Sequence, residues 1–327
     1  MTFLRTLVIA LLGAVVILIG GAYWFYGPVS TTSQPGVFVV PKEGGVDVIG
    51  KLAQSRYIRH PVAFHFLFLA LSGKGDIVPG GYKLDSNMNA LDVVKKLAGP
   101  PDLVWVTIPE GLRKEQVGEM IGKVLGWTDE QKNEWNQLYT LTNKPEYTEG
   151  VYFPDTYLIP RDETVAQVVQ RFINRFNEKF AQYQEQFTGK NIRWTTGLKI
   201  ASLIQREAGG TSDMPLISGI IWNRLEKGMK LEIDATLQYA QGRTDAGWWG
   251  PVAPPLKAID SPYNTYLYKG LPPTPIASPG LAAIDAALNP QETDCLFYLH
   301  DHNRQIHCAR DYPGHLANIK KYLQSSQ

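Results

Sequence analysis

The sequence predicts an α+β protein held to a membrane by one N-terminal helix, and three observations predict it. An uncharged run of roughly 20 residues, the length that spans a bilayer, stands near the start. A strand–helix–helix–strand–helix pattern then occurs twice. Past residue 190 come short amphipathic helices and a long Pro/Gly/aromatic tract, which suits a C-terminal mixed α/β domain. The resulting division is a short N-terminus (1–6), a transmembrane helix (7–26), a linker (27–36), a first α+β module (37–100), a second α+β module with a long helix (101–190) and the C-terminal domain (191–327).

The apolar run is "LVIALLGAVVILIGGAYWFYGP" from Leu7, preceded by Arg5 and closed by Tyr23, Trp24, Phe25 and Tyr26. Aromatic rings of this kind favour the membrane–water boundary, and the lone arginine places the N-terminus in the cytoplasm with the bulk of the chain outside. A cleaved signal peptide is the competing reading. The run is longer than the apolar stretch of most signals and ends in bulky rings without a small-x-small cleavage site, which favours a retained anchor.

The first module reads "VFVVPKEGGVDVIGKLAQSRYI", a helix at Val62–Leu71, then "PGGYKLDSNMNALDVVKKLAG". The second reads "LVWVTIPEGLRKEQVGEMIGKVLGW", a helix around Asp129–Tyr139, then "TEGVYFPDTYLIPRDETVAQVVQRF". Each has a strand, a Pro-x-Glu-Gly or Pro-Glu-Gly turn, two helices, a Gly-x-Tyr strand and a further helix, so each is expected to form its own small hairpin-like sheet. From Glu163 to about Gln186, Val165, Val168, Val169, Phe172, Ile173 and Phe176 mark one side of a long helix.

The 327 residues suffice for two or three domains, 44% of them are apolar, and the net charge of +1 gives no electrostatic case for a nucleic-acid partner. No phosphate-binding loop, dinucleotide fingerprint or Gly-x-Ser-x-Gly elbow occurs. His300, His302, His307, Cys308 and His315 crowd one short window, but their spacing fits no common zinc pattern, so no metal is expected. The two cysteines, Cys295 and Cys308, lie on two short strands around a turn at Asp301–His302. That register sets them opposite each other, as candidates for a disulfide in an oxidising compartment.

The segment "LKIASLIQREAGG", Leu198–Gly210, carries the sharpest chemical signal. At helical pitch Ile200, Leu203, Ile204 and Ala208 share one side, and Lys199, Ser202, Gln205 and Arg206 face water. Glu207 falls among the apolar residues. A carboxylate there must be paired or protonated. It is either a structural acid paired with an arginine such as Arg224, or a general acid whose pKa desolvation has raised. Asp234, Asp260 and Glu232 are available as second acids, and spacing alone does not place them. The tract Gly242–Gly280, dense in Trp, Tyr, Asn, Pro and Gly, suits a sugar-binding cleft as well as it suits a plain connector.

Five motifs, "EGVYFPDTY" (Glu149–Tyr157), "LKIASLIQREAG" (Leu198–Gly209), "NRLEKGMKLEIDATLQYA" (Asn223–Ala240), "SPYNTYLYKGLPPTPIASPG" (Ser261–Gly280) and "AALNP" (Ala286–Pro290), occur in this order. In them the chain resembles the endolytic murein transglycosylase, or YceG-like, family over nearly its whole length. The resemblance implies a LysM-like module at 37–100 and a catalytic domain at 191–327. It also implies peptidoglycan glycan strands as substrate and cleavage between N-acetylmuramic acid and N-acetylglucosamine to leave 1,6-anhydro ends. The implied location is the bacterial inner membrane, with the catalytic domain periplasmic and near the peptidoglycan synthases. It assigns Glu207 as the catalytic acid, with the muramoyl C6 hydroxyl as nucleophile, so that no cofactor is required. By position in the motifs, Asp234, Thr236, Gln238, Tyr239, Asn264 and Tyr266 are expected to bind substrate. The chain departs from the family near its end: where the family resembles H-x-F-S-x-T-x-x-E-H-N, it reads "HCARDYPGHLAN", keeping His307 and His315 but not the residues around them. A non-catalytic scaffold that binds peptidoglycan and a muramidase using water are the competing functions.

Overall fold

The computed structural model describes residues 2–43, 45–73, 76–137 and 148–324. They form two compact units, one from residues 1–106 and 156–163, the other from 107–155 and 164–327.

The first unit opens with α1 (Thr2–Tyr26), within which Leu4–Tyr26 is long and apolar enough to cross a membrane. Then come β1 (Pro35–Val40), α2 (Val48–Gln54), α3 (Pro61–Ser72), β2 (Gly80–Asp85), α4 (Ala90–Ala98), β3 (Leu103–Thr107) and, from later in the chain, β4 (Thr156–Pro160). Asp47 caps α2 by accepting from the Gly50 amide at 2.8 Å, and Asn89 caps α4 by accepting from the Asp92 amide at 3.0 Å. β1 alternates, with Phe38 and Val40 inward and Val37 and Val39 outward. The inward residues join Leu52, Phe64, Phe68, Tyr82, Val93 and Leu97 in one core.

The expectation of a separate small sheet in each module is corrected. The four strands form one sheet in the order β1-β2-β3-β4. Two-stranded hairpins are marginal in water, and joining the free edges satisfies backbone groups that two sheets would leave open. The second Gly-x-Tyr stretch is also not a strand. Gly150 adopts a φ of 79°, Val151, Tyr152 and Phe153 are buried, and the strand starts only at Thr156, after Pro154. A Cβ on Gly150 would lie 2.7 Å from Pro275, so the backbone passes there only because the side chain is absent.

The second unit contains α5 (Lys114–Leu125), α6 (Asp129–Asn136), α7 (Val165–Gly189), α8 (Trp194–Glu207), α9 (Met214–Glu226), α10 (Asp234–Gln241), α11 (Leu281–Leu288), the hairpin β5 (Phe297–His300) and β6 (Ile306–Ala309), and α12 (Tyr312–Tyr322). Residues 138–139 of the expected α6 lie outside the described residues. α7 starts in a capping box between Thr164 and Gln167 and buries the six predicted residues together with Phe180 and Phe187. α12 begins three residues before the expected His315, because the Asp311 side chain caps it by accepting from the Gly314 amide at 2.8 Å. α8 packs against α7, α9, α10 and α11, which makes it the central helix of the unit.

The hairpin register differs from expectation. Asp301 accepts from the amides of Asn303 and Gln305, and its own amide donates to the Gln305 carbonyl, so the loop runs from 301 to 305 instead of turning at 301–302. The longer loop slips the pairing. Tyr298 stands opposite Cys308 and Phe297 opposite Ala309, while Cys295 lies before the strand. The structure joins Cys295 and Cys308 as a disulfide with Cα atoms 5.9 Å apart.

Two free thiols should therefore be absent when the unreduced chain is titrated in denaturant. Replacing both cysteines by serine opens a link across 13 residues, which should cost about 3 kcal/mol on the chain-entropy scale. A variant melting at the parent temperature would contradict this.

Candidate active site

Glu207 is the last residue of α8, and its neighbours come from three other segments. The residue is half-buried, and desolvation is the largest influence on its carboxyl group. The Tyr298 hydroxyl on β5 donates to Oε2 at 2.7 Å, and the Ala235 amide, in the first turn of α10, donates to the same carboxyl group. Burial raises the Glu207 pKa, and the nearby charge of Asp234 raises it further. The Tyr298 hydroxyl, the Ala235 amide and His300 oppose this without cancelling it. Position adds to the effect, since the C-terminal end of a helix disfavours negative charge.

Among the described residues no arginine forms a salt bridge with this acid, although the neighbouring Arg206 interacts with it electrostatically. Arg224 is turned elsewhere: its Nε donates to the Leu296 carbonyl at 2.6 Å, and Nη1 reaches the Lys230 and Leu231 carbonyls and the Glu232 carboxylate at 3.2 Å. The structural-pair reading with Arg224 thus fails on geometry. Two details of the α8 pattern are corrected as well. Ser202 is buried, donating to the Lys199 carbonyl and accepting from the Ile276 amide. Arg206 does not point freely to water but lies over the Trp249 ring at 4.0 Å.

Of the three second acids, Asp234 acts on Glu207 electrostatically, whereas Asp260 accepts from the Tyr268 hydroxyl at 2.7 Å and Glu232 pairs with Arg224. Asp234 is exposed and accepts from the Tyr266 hydroxyl at 2.7 Å, so these two stand together beside Glu207. The other four expected substrate residues are placed differently. Thr236 is buried and bonded to Ile233 and Thr265. Asn264 is also buried: its amide nitrogen donates to the Lys257 and Ile259 carbonyls, and its oxygen accepts from the Tyr266 and Leu267 amides. Both shape the loop that carries Tyr266 and leave no polar atom for a ligand. Gln238 donates to the Gly250 carbonyl at 2.8 Å. Tyr239 faces a second acid, Glu149.

Pattern reading missed Tyr298 and Glu149. Tyr298 sits on a hairpin that only folding brings to Glu207, beside His300, which contacts Asp213 at 3.1 Å. Glu149 is 2% exposed and accepts from the Lys114 and Gly150 amides and from the Tyr239 hydroxyl at 3.1 Å. Burial pushes its carboxyl up to about 7, with Glu115 adding to the rise and the Gly150 amide, Arg113 and Lys114 opposing it. A glutamate directly before a buried Gly-x-Tyr segment was the available signal. In the histidine window His300 contacts Asp213, and His307 contacts Asp301 at 3.0 Å while stacking on Tyr322.

The Trp-rich tract is also more structural than expected. Trp249 donates to Gln116 at 2.8 Å, and Trp248 donates to Glu119 at 3.3 Å while its ring lies under Arg113. A cavity of about 800 Å³ lies apart from this chemistry, between α9, α11 and the segment 290–295, and its acids Glu226, Glu292 and Asp294 are exposed.

A carboxyl held near 7 in the fold and near 4.5 when unfolded is more protonated in the folded chain. Its contribution to stability is then complete below about 4.5 and lost as the pH climbs through 7. Glu149→Gln should flatten that part of the curve of melting temperature against pH. A slope equal to the parent's would remove Glu149 as its source.

The chain matches the YceG-like family over residues 37–321. It is 27% identical to an endolytic murein transglycosylase of Streptococcus pneumoniae serotype 2 (strain D39), a match covering 98% of this chain and 66% of that protein. The chain thus spans just under two thirds of the length of that relative. It is 28% identical to an endolytic murein transglycosylase of Bacillus subtilis (strain 168), covering 94% of this chain and 92% of the relative. The fold is shared with a crystal structure of a yceG-like protein from Listeria monocytogenes, at a TM-score of 0.60 and 23% identity over 87% of this chain and 98% of that one. A match across most of the chain, with the Glu207 helix and its surrounding loops inside it, makes this protein a member of the YceG-like family.

Proposed function

We propose that this protein is an endolytic lytic transglycosylase of peptidoglycan. It would cleave the bond between N-acetylmuramic acid and N-acetylglucosamine and leave 1,6-anhydromuramoyl ends. The observation that carries the reading is the state of Glu207: a desolvated carboxyl with a raised pKa, bonded by a phenol and a backbone amide and, among the described residues, in no salt bridge. The names of the related proteins point the same way.

In this mechanism protonated Glu207 donates to the glycosidic oxygen while positive charge develops at the muramoyl C1. The carboxylate left behind is held by the Tyr298 hydroxyl and the Ala235 amide, donors already oriented by the fold, so little reorganisation accompanies the transfer. The same carboxylate then takes the proton of the substrate's C6 hydroxyl as that oxygen attacks C1. The nucleophile belongs to the substrate, so a single enzyme acid suffices. Asp234 and Tyr266, exposed or half-buried beside Glu207, would contact the sugar.

The same reading makes α1 a retained anchor in the inner membrane, N-terminus inside, with the catalytic unit in the periplasm; its support is the helix's length and apolarity, with Arg5 near its N-terminal end, ahead of the uncharged run. The order β1-α2-α3-β2 supports a LysM-like, glycan-binding module in the first unit.

Glu207→Gln keeps the shape and lacks the acidic proton, so release of anhydro-muropeptides should fall by at least ~100-fold. A folded variant working at the parent rate would end the assignment, and reducing ends in the product masses would replace it with a muramidase. The parent rate should decline as pH rises through the raised Glu207 pKa, since only the protonated acid donates. Tyr298→Phe removes a donor that favours the carboxylate. It should therefore move this decline to higher pH and lower the maximal rate about tenfold. A decline left where it was would show that the phenol does not tune this acid.

A further inference from the structure

α3 is apolar on both of its sides. Phe64 and Phe68 point into the core at 1% and 2% exposure, while Val62, Phe66, Leu69 and Leu71 stand outward at 70%, 66%, 43% and 53%. From Pro61 to Ser72 the helix carries no Lys, Arg, Asp or Glu, and its one polar side chain before Ser72 is His65, exposed on the outward row. A helix that is hydrophobic all round belongs in an apolar medium on both faces. The fold supplies such a medium on one side only.

The position of α3 says what covers the other. Its capping residue, His60, lies against the last turn of α1, with ring centroids 4.9 Å from Phe25 and 6.1 Å from Trp24. Arg59, one residue earlier, places its guanidinium over Tyr23 at 5.3 Å and donates from Nε to the Pro28 carbonyl at 2.8 Å. α3 therefore starts beside the aromatic end of the span, the part of such a helix that prefers the headgroup level. The charges agree. From Lys51 to Gly73 the chain has Lys51, Arg56 and Arg59 and no acidic residue, and basic residues are drawn to an anionic membrane surface.

We propose that the outward face of α3 lies in the lipid headgroup region, against the acyl boundary of the bilayer that α1 enters, so that the first unit is docked on the membrane surface. The inference rests on α1 being a membrane span. The exposed Val62–Phe66–Leu69 row becomes the buried side of an interfacial helix, and α1 and α3 together fix the first unit by two contacts with the membrane instead of one flexible tether.

The test uses the full chain in vesicles of phosphatidylethanolamine and phosphatidylglycerol, with a bimane probe on Val62→Cys, Phe66→Cys or, as a check of the span, Leu12→Cys. Lipids bearing a nitroxide near the headgroup should quench the probes at 62 and 66 at least ~3-fold more than aqueous iodide does, as expected for a helix lying at the interface. Adding Leu69→Glu to the Phe66→Cys chain should reverse that preference with the helical signal unchanged. If a deep nitroxide quenches position 12 while position 66 stays open to iodide, the span stands and the docking proposal falls. If position 12 is not quenched, the span reading itself fails and takes the proposal with it. Quenching between probes on two chains at position 66, without quenching by lipid, would assign the face to a second copy and overturn the proposal.

Discussion

The desolvation of one carboxyl group sets the terms for the second unit. Glu207 ends α8, the helix against which α7, α9, α10 and α11 all pack, and its charge is disfavoured both by burial and by the dipole of the helix it ends. Two neutral donors, Tyr298 and the Ala235 amide, lower the cost of ionisation without removing it. An acid in that balance is shifted towards its protonated form, while its anion still has hydrogen-bond partners.

α10 links this acid to a second one. Its first turn serves Glu207 through Ala235 and Asp234, and five residues past Asp234, Tyr239 bonds the buried Glu149. Eight residues of helix span roughly 12 Å, so the two acids act on opposite ends of one short rod. Arg113 fastens the far end, stacking on Tyr239 at 4.2 Å and donating to its carbonyl at 3.2 Å. The Trp248–Trp249 stretch closes over Arg113 and Arg206, which explains why a loop so rich in Pro and Gly is nonetheless held against α5 and α8.

The hairpin is the other wall. Tyr298 stands opposite the bonded Cys308 in the β5–β6 register, so the residue that orients Glu207 is also directly across from the covalent link. Cys308 and the buried Ala309 pack this corner. The disulfide therefore stabilises the strand that carries the hydrogen-bond donor to Glu207.

Local pattern was enough for the apolar span, the α7 stripe and the helix bearing Glu207, because each depends on the period of apolar residues within one segment. It also singled out Glu207, since a carboxylate on an apolar stripe is costly wherever the helix packs. It did not reveal the single four-stranded sheet, the slipped hairpin register or the buried roles of Thr236 and Asn264. Those depend on which free edge finds a partner, how long a turn runs and which side chain satisfies a distant backbone group. The sequence determined by itself that an acid would sit among aliphatic residues. Only the tertiary structure decided that its partners are a phenol and a backbone amide and not Arg224, because desolvation is shared among groups far apart along the chain.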